Sequence, residues 1–303
     1  MATSNSITST YAGQDAGIYI SAAVKAANTI EQDVLTVLPN VKYKAVVHKL
    51  ALGDNVHDFT CDFNASGSVA LTEASLTPKK LTVSLQLCKN DFISSWEAES
   101  MGFGAQNHVI PPTFEDYFIA KVIEKQAAVI DANIWVGAAT DNGKFDGLIT
   151  QWEADNATNE YDAITGSVDA TNVIALLGAI YDATPDAVMA ADDFQFVVSM
   201  KVAKSYKRAL SALGYGNTYS QGEKPLDFEG IPLKVINGAP ANFIATFNKG
   251  NLFFGTGVLN DSNEVSILDM HDHDLSDNVR FKLVFTADTA YVLSDEITYW
   301  YVA

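Results

Sequence analysis

The longest helical pattern in the chain lies between residues 113 and 136. Thr113 stands three residues before Asp116, as in the capping box of a helix start. Apolar side chains then recur at the three- and four-residue spacings of one buried helix face. The row consists of Ile119, Val122, Ile123, Ala127, Ile130 and Ile134. Gly137 is the first predicted stop, so the pattern predicts a helix roughly 36 Å long.

A β pattern occupies residues 41–96, before this helix. Apolar and polar residues alternate there at the period of a half-buried strand. The apolar positions are Phe59, Cys61 and Phe63, and most regularly Leu81, Val83, Leu85 and Leu87. Few apolar residues lie near the predicted turns, so we expect the hairpin to need a partner surface. Further upstream, residues 19–37 predict a helix, and residues 1–18 form a small polar arm with no core of its own.

Helices and strands are interleaved after residue 140 without a repeating βαβ rhythm. Helices are predicted at 173–181 and 202–213, and an acidic loop at 151–169. Strands are predicted at 145–149, 194–198, 231–236, 243–247, 252–254, 281–285 and 297–301. This order favours an α+β fold over a doubly wound parallel sheet.

Charge and cysteine content narrow the class of protein. The chain has 303 residues, 48% of them hydrophobic, and a net charge of −18, which disfavours a nucleic-acid-binding surface. The first residues lack the basic and apolar regions of a signal peptide, and no apolar run is long enough to cross a membrane. Cys61 and Cys88 are the only cysteines. We expect both to be buried and reduced, in a protein made in a cytoplasm.

The residues provide little sign of catalysis. The stretch Gly137–Lys144 lacks both the spacing of a phosphate-binding loop and the Ser or Thr that follows its lysine. No GxSxG or HExxH motif occurs. One alternative stays open, a metal site formed by His271, His273 and Asp274, because imidazoles two residues apart on a strand point the same way. A solvated loop is the simpler interpretation, so we predict no catalytic residue and no cofactor.

Several stretches, taken in order, are similar to one known family. They are Leu71–Leu81 with its Pro78-Lys79 step, Phe145–Ile149 after the long helix, Phe228–Val235 and Leu252–Gly255. Together with the polar arm and the terminal strands, this order resembles the major capsid proteins of tailed bacteriophages, which have the HK97-like fold.

The resemblance implies a division of the chain into parts. Residues 1–36 would be the N-terminal arm and a short helix. Residues 37–148 would be the P-domain, with the E-loop at about 50–82 and the spine helix at about 113–139. Residues 149–265 would be the A-domain. Residues 266–303 would return to the P-domain as terminal strands.

The resemblance also implies a function without an active site. The chain would self-assemble, as hexamers and pentamers, into the icosahedral shell around the double-stranded DNA genome of a tailed phage. Its implied partners are a separate scaffolding protein, a portal and decoration proteins, with no membrane. It would be made in the bacterial cytoplasm and reside in the virion. The family's lysine–asparagine crosslink cannot be placed on Lys79, Lys80 or any asparagine.

Two other hypotheses remain open at this stage. The first is an encapsulin-like compartment shell, which shares the fold but encloses cargo protein. The second is a cytoplasmic α+β metal-dependent enzyme that uses the cluster at residues 271–274.

Overall fold

The structure is a computed structural model in which thirteen stretches of the chain are described. They are residues 28–39, 41, 43–52, 57–59, 61, 69–88, 112–155, 158–161, 166–214, 226–256, 265–270, 275–276 and 278–302. The described helices are α1 (Pro112–Val136), α2 (Leu148–Ala154), α3 (Val173–Ala183), α4 (Asp186–Met189) and α5 (Met200–Ala212). None of these helices is both long enough and apolar enough to cross a membrane.

The described strands run in chain order from β1 to β13. They are β1 (Thr36–Leu38), β2 (Ala45–Leu52), β3 (Val69–Leu76), β4 (Lys79–Cys88), β5 (Asn159–Glu160), β6 (Phe194–Ser199), β7 (Asp227–Phe228), β8 (Ile231–Ile236), β9 (Asn242–Asn248), β10 (Leu252–Thr256), β11 (Val265–Asp269), β12 (Asn278–Tyr291) and β13 (Thr298–Val302).

The chain forms two compact units. The first contains the described residues of Leu81–Ile130 and Asn260–Phe285. The second contains those of Asn28–Lys80, Asp131–Leu259 and Thr286–Ala303.

A six-stranded sheet forms the centre of the second unit. Its strand order is β5-β13-β9-β6-β8-β7, with β6 parallel to β8 and antiparallel to β9. Because successive side chains of a strand point to opposite faces, Ile244 of β9 faces one side of the sheet, and Phe243 and Phe247 face the other. Ile244 packs with Leu177 of α3 and other residues of an apolar core that also includes α5.

Aromatic rings cover the opposite face of this sheet. Trp135 at the end of α1 lies 5.1 Å, centroid to centroid, from Phe243, and Trp152 of α2 lies 5.4 Å from Tyr299. Trp135 and Trp152 lie 6.3 Å apart, edge to face, and neither is exposed to solvent. Strand β9 is therefore covered on both faces, which explains its nearly continuous run of buried residues.

A second group of strands in this unit supports the hairpin that β2 and β3 form. Strand β1 runs parallel to β10, and β10 pairs antiparallel with residues 287–291 of β12. Strands β2 and β3 pair antiparallel along their full length, from Ala45 opposite Leu76 to Leu52 opposite Val69.

The first unit contains a smaller set of paired strands. Strand β11 pairs antiparallel with residues 279–283 of β12, and β4 pairs with β12. The side chains of Gln86 and Arg280 hydrogen-bond across β4 and β12, Nε to Oε1 at 3.1 Å. Residues 112–130 of α1 also belong to this unit.

The longest predicted elements are confirmed. The helix α1 ends at Val136, directly before Gly137, and α3, α5, β4, β6, β8, β9 and β10 lie where the pattern placed them. On the predicted buried face of α1, Val122 and Ile134 are buried, while Ala127 and Ile130 are partly exposed.

Several predictions are wrong. Residues 145–149 are not a strand, because Leu148 and Ile149 begin α2 and are buried there with Trp152. The loop predicted at 151–169 is not irregular throughout, because residues 151–154 belong to α2 and Asn159–Glu160 form β5. Thr36 and Val37, predicted as the end of the helix at residues 19–37, belong to β1, because β10 supplies a parallel partner. Phe59 and Cys61 are exposed and outside any strand, so the expectation of a buried Cys61 fails, and Cys88 is only half-buried.

Candidate assembly surfaces

The structure does not test the alternative of a metal site that the sequence analysis left open. His271, His273 and Asp274 lie outside the described residues. Within the described stretches, no group of three or more His, Cys, Asp or Glu side chains is placed to hold a metal ion. His48 pairs across the hairpin with Glu73, Nδ1 to Oε1 at 3.5 Å, and both side chains are about half exposed.

The root of the β2–β3 hairpin is tightly packed. Leu76 is completely buried and Ala74 is nearly so, and both pack against Phe253, Ala290 and Val292. Gly255 of β10 lies beneath Leu76, where a Cβ atom on the glycine would be 3.4 Å from a leucine methyl group. That distance is an ordinary van der Waals contact, so β10 packs closely beneath Leu76 without requiring a glycine at position 255.

Polar contacts fix the end of β3 to the same base. The Thr77 amide donates a 2.7 Å hydrogen bond to Oδ2 of Asp288. Burial raises the pKa of the Asp288 carboxyl, and the hydrogen bonds from the Thr77 and Thr289 amides oppose that rise. Lys79, two residues further along, donates from Nζ to the carbonyl oxygens of Ala139 at 3.1 Å and Lys144 at 2.9 Å. The root of the hairpin is therefore held by both packing and hydrogen bonds.

The outward face of the hairpin is exposed and carries apolar residues on either side of the His48–Glu73 pair. The pairing register places Leu50 opposite Leu71, and the period of two puts Val46 and Val69 on the same face. Their exposed fractions are 43% for Val46, 58% for Leu50, 66% for Val69 and 59% for Leu71. An apolar patch on a two-stranded hairpin is typical of an interaction surface. Burying a fully exposed leucine contributes about 1.5–3 kcal/mol, and a neighbouring molecule that covered these two leucines would gain a corresponding fraction for each.

The segment at residues 28–33 is a second anchored feature of the same unit. The Thr29 amide donates a buried 3.1 Å hydrogen bond to Oδ1 of Asp131, and the Trp135 indole donates to the Thr29 hydroxyl at 3.0 Å. Asn28 donates through Nδ2 to the carbonyl oxygen of Val235 at 3.0 Å. These bonds tie the segment to the end of α1 and to β8.

Two lysines complete this anchor. Lys249 pairs with Asp33, Nζ to Oδ2 at 2.5 Å, and that hydrogen bond lowers the pKa of the Asp33 carboxyl. Lys234 donates to the carbonyl oxygens of Gln32 at 2.8 Å and Asp33 at 3.1 Å. Burial lowers the pKa of Lys234, although the Asp33 carboxylate partly opposes this effect. Residues 28–33 are thus held to their unit by several hydrogen bonds and one ion pair.

Sequence reasoning missed this anchor. It predicted a helix over residues 19–37; residues 19–27 of that range lie outside the described part of the chain, and residues 28–35 form turns and irregular chain instead of a helix. Two polar residues of α1, Asp131 and Asn133, stand next to the apolar face that includes Ile134, and both are buried in the structure. Their position in the sequence was the available indication that another segment packs there. A buried carboxylate needs hydrogen-bond donors, and an upstream segment supplies them.

Comparison with known proteins shows likeness in structure rather than in sequence. No protein-family model matches the chain, and no curated protein is similar to it in sequence. Among solved structures, the capsid of a native GTA particle matches with a TM-score of 0.62 and 14% identity, over 99% of this chain and 94% of that chain.

Two phage structures give similar results. A structure of Gordonia phage Cozz matches with a TM-score of 0.62 and 12% identity, over 99% of this chain and 91% of that chain. The capsid of cyanophage A-1(L) matches with a TM-score of 0.58 and 14% identity, over 92% of this chain and 93% of that chain. At these identities the likeness concerns the fold, and it extends over nearly the whole chain. The chain has the α+β, HK97-like fold of tailed-phage capsid proteins, as the sequence predicted.

Proposed function

We propose that this chain is a structural major capsid protein, which self-assembles into the icosahedral shell of a tailed phage. The observation that carries the proposal is the structural match to capsids, that of a native GTA particle over 99% of this chain and that of cyanophage A-1(L) over 92%. The β2–β3 hairpin supports it, because its root is fixed while its apolar outer face has Leu50 and Leu71 more than half exposed. Such a face suits a protein whose surface is completed by neighbouring copies.

The parts of the capsid fold are assigned within this proposal. The hairpin of β2 and β3 corresponds to the E-loop at about 50–82, and α1 to the spine helix. The six-stranded sheet with α3 and α5 corresponds to the A-domain at 149–265. The last strand, β13, pairs with β9 of that sheet, so the return of residues 266–303 to the P-domain stays a prediction.

The partners follow from the same proposal. Other copies of the chain would form hexamers and pentamers, and a separate scaffolding protein, a portal and decoration proteins would complete the particle. The shell would enclose double-stranded DNA without sequence-specific binding. The net charge of −18 suits that role, because a strongly acidic lining does not hold the genome by counterion release. The protein would act in the virion after synthesis in the bacterial cytoplasm, without an active site or a cofactor.

Electron microscopy of the purified full chain tests the proposal. Uniform closed shells or ring-shaped capsomers are the expected result. A protein that remains monomeric under all assembly conditions, and whose thermal stability falls when a chelator is added, would instead be the metal-dependent α+β protein using residues 271–274. Nuclease-protected DNA inside shells isolated from the producing cells separates a phage capsid from an encapsulin-like compartment, in which the enclosed material is protein.

A further inference from the structure

The helix α5 concentrates positive charge in an acidic chain. Its thirteen residues include Lys201, Lys204, Lys207 and Arg208, four of the 19 Lys and Arg residues in the sequence. Lys201, Lys204 and Arg208 follow one another at spacings of three and four, which places them along one stripe of the helix surface. Lys204 and Arg208 are exposed, whereas the opposite side of α5 is buried in the core.

This stripe lines a groove of about 550 Å³, which we call the α5 groove. Its other walls include Asp169 before α3, Ser199 at the end of β6 and Ala241 before β9. Lys201 is held in place, since its Nζ donates to Oδ1 of Asn242 at 2.9 Å and to the hydroxyl of Ser167.

One carboxylate, that of Asp169, lies in the groove wall and offsets only part of the charge of the three basic side chains. Oδ1 of Asp169 accepts hydrogen bonds from its own turn, from the Thr171 amide at 2.7 Å, the Thr171 hydroxyl at 2.6 Å and the Asn172 amide at 3.1 Å. The Thr171 hydroxyl is the main reason that the pKa of Asp169 is lowered. Within the described stretches, no carboxylate lies at ion-pair distance from Lys204 or Arg208.

A complementary acidic segment occupies residues 182–193. It contains four aspartates and no Lys or Arg. The aspartates are Asp182, Asp186, Asp192 and Asp193, and all four are exposed. Asp193 is fixed by the Gly250 amide, which donates to its Oδ2 at 2.7 Å.

The groove and the acidic segment lie at opposite ends of the same elements. The groove lies at the start of α3 and the end of β6, whereas the acidic segment lies at the end of α3 and the start of β6. The 11 residues of α3 span about 16 Å. The 6 residues of β6 span about 20 Å. At that separation the two patches of one copy cannot form ion pairs with each other.

We propose that the α5 groove binds the acidic segment of a second copy of this chain, with Lys204 and Arg208 facing Asp186 and Asp192 of that copy. The inference rests on the proposed self-assembly. A contact between two different patches is head to tail, and a head-to-tail contact either closes a ring or extends without limit. A second copy is the favoured occupant because each copy has 37 acidic against 19 basic residues and offers a patch of matching charge.

Charge reversal in the full chain tests the pairing. One variant has Lys204→Glu with Arg208→Glu, a second has Asp186→Lys with Asp192→Lys, and a third combines all four changes. The assembled fraction is measured by sedimentation velocity at one fixed ionic strength. Each two-site variant should lose at least about tenfold in assembled fraction, since it places like charges opposite each other. The four-site variant should return to within about twofold of the unmodified chain.

Two further variants separate the pairing from general effects of charge or folding. Lys207→Glu changes a basic residue of α5 that does not line the groove, and it should assemble normally. Lys204→Gln with Arg208→Gln removes the attraction without adding repulsion, and its loss should be smaller than that of the reversal. Near-ultraviolet circular dichroism of the unassembled protein checks that each variant is folded.

Three outcomes would overturn the pairing. They are normal assembly of both two-site variants, failure of the four-site variant to recover, or shells that form normally while their DNA content falls. The last result would assign the groove to nucleic acid. The test is separate from that of the proposed function, because an unmodified chain that forms no shell contradicts the function, whatever the variants do.

Discussion

At the scale of single residues, the two most informative carboxylates are Asp131 and Asp288. Asp131 is 2% exposed and accepts hydrogen bonds from the Thr29 amide at 3.1 Å and the Asn28 amide at 3.4 Å. Gly238 lies so near that a Cβ atom on it would be 2.6 Å from Cγ of Asp131. The site is therefore built for a carboxylate between two amides, with a glycine required by the close approach.

Replacing Asp131 with alanine should destabilise the unassembled subunit by about 1–3 kcal/mol, because the buried Thr29 amide loses its acceptor. Asp131→Asn is the matched control, since it keeps one carbonyl oxygen for Thr29 and should lose less. Urea unfolding measures both variants. Equal stability of the alanine variant and the unmodified chain would contradict the role given to this carboxylate.

The raised pKa of Asp288 predicts how the stability of the subunit changes with pH. Burial raises the pKa of its carboxyl above the ordinary value of 3.8, so the folded state holds this proton more tightly than the unfolded state does. The contribution of Asp288 to stability is therefore full below pH 3.8 and is lost as the pH rises through the raised pKa.

Asp288→Asn removes this titration and keeps an oxygen that can accept from the Thr77 amide. The variant should be more stable than the unmodified subunit near neutral pH, and the difference should shrink towards zero below pH 3.8. Unfolding midpoints of the two proteins across that pH range measure the effect. Because both proteins share all other carboxylates, the pH dependence that those groups cause cancels in the comparison. A difference that does not change with pH would contradict the prediction.

At the scale of elements, the length and period of a pattern decided what the sequence could predict. The 25 residues of α1 repeat one apolar face several times, so its position and its end at Val136 were predicted correctly. The apolar run at 145–149 is too short to distinguish a strand from a helix. The deciding residue was Trp152, which shares the buried face of α2 with Leu148 and Ile149.

Other elements depend on partners that are distant in sequence. Thr36 forms a strand because Phe253 of β10 lies beside it, and no local pattern reveals that pairing. Phe59 alternates with polar residues as a strand would, yet it is 92% exposed outside any strand. Alternation indicates which side chains share a face, but it does not supply the neighbouring strand. The sequence predicted that the hairpin needs a partner surface, because few apolar residues lie near its tip, and that need stays a prediction.

The outer face of the hairpin can be tested directly by replacing Leu50 and Leu71 with serine. Both leucines are exposed, so the stability of the unassembled subunit should stay within about 0.5 kcal/mol. Assembly should fall at least about tenfold, because two leucines of this exposure, when a neighbour covers them, together contribute more than the roughly 1.4 kcal/mol that corresponds to tenfold. Leu213→Ser is the matched control, an equally exposed leucine at the end of α5 that should leave assembly unchanged. If the double variant forms normal shells, the hairpin face does not contribute to the contacts between copies.

At the scale of the whole molecule, the chain is strongly acidic, but its surface also has an apolar hairpin face and a basic stripe on α5. A net charge of −18 makes copies repel one another at long range. Association therefore has to come from short-range features, such as the apolar hairpin face and the basic stripe of α5. Because salt screens charges beyond about 10 Å at 0.1 M, added salt should weaken the repulsion between whole subunits more than it weakens close ion pairs.

The N-terminal residues give the last prediction. Residues 2–18 contain few apolar side chains, and the anchor at 28–33 is complete without them, through Asp131, Trp135 and Lys249. Deleting residues 2–18 should therefore leave the subunit folded, with an unchanged urea midpoint and the near-ultraviolet circular dichroism of the buried tryptophans preserved. Assembly measured by sedimentation should be impaired, because contacts with neighbouring copies are lost.

A glycine–serine segment of the same length in place of residues 2–18 distinguishes the contribution of length from that of sequence. If specific side chains of the arm contact neighbouring copies, this variant should assemble as poorly as the deletion. If the arm serves only as a tether, the glycine–serine variant should recover assembly. A deletion variant that forms normal particles would show that the shell is completed without the arm. The hairpin face and the α5 groove would then have to supply the association between copies.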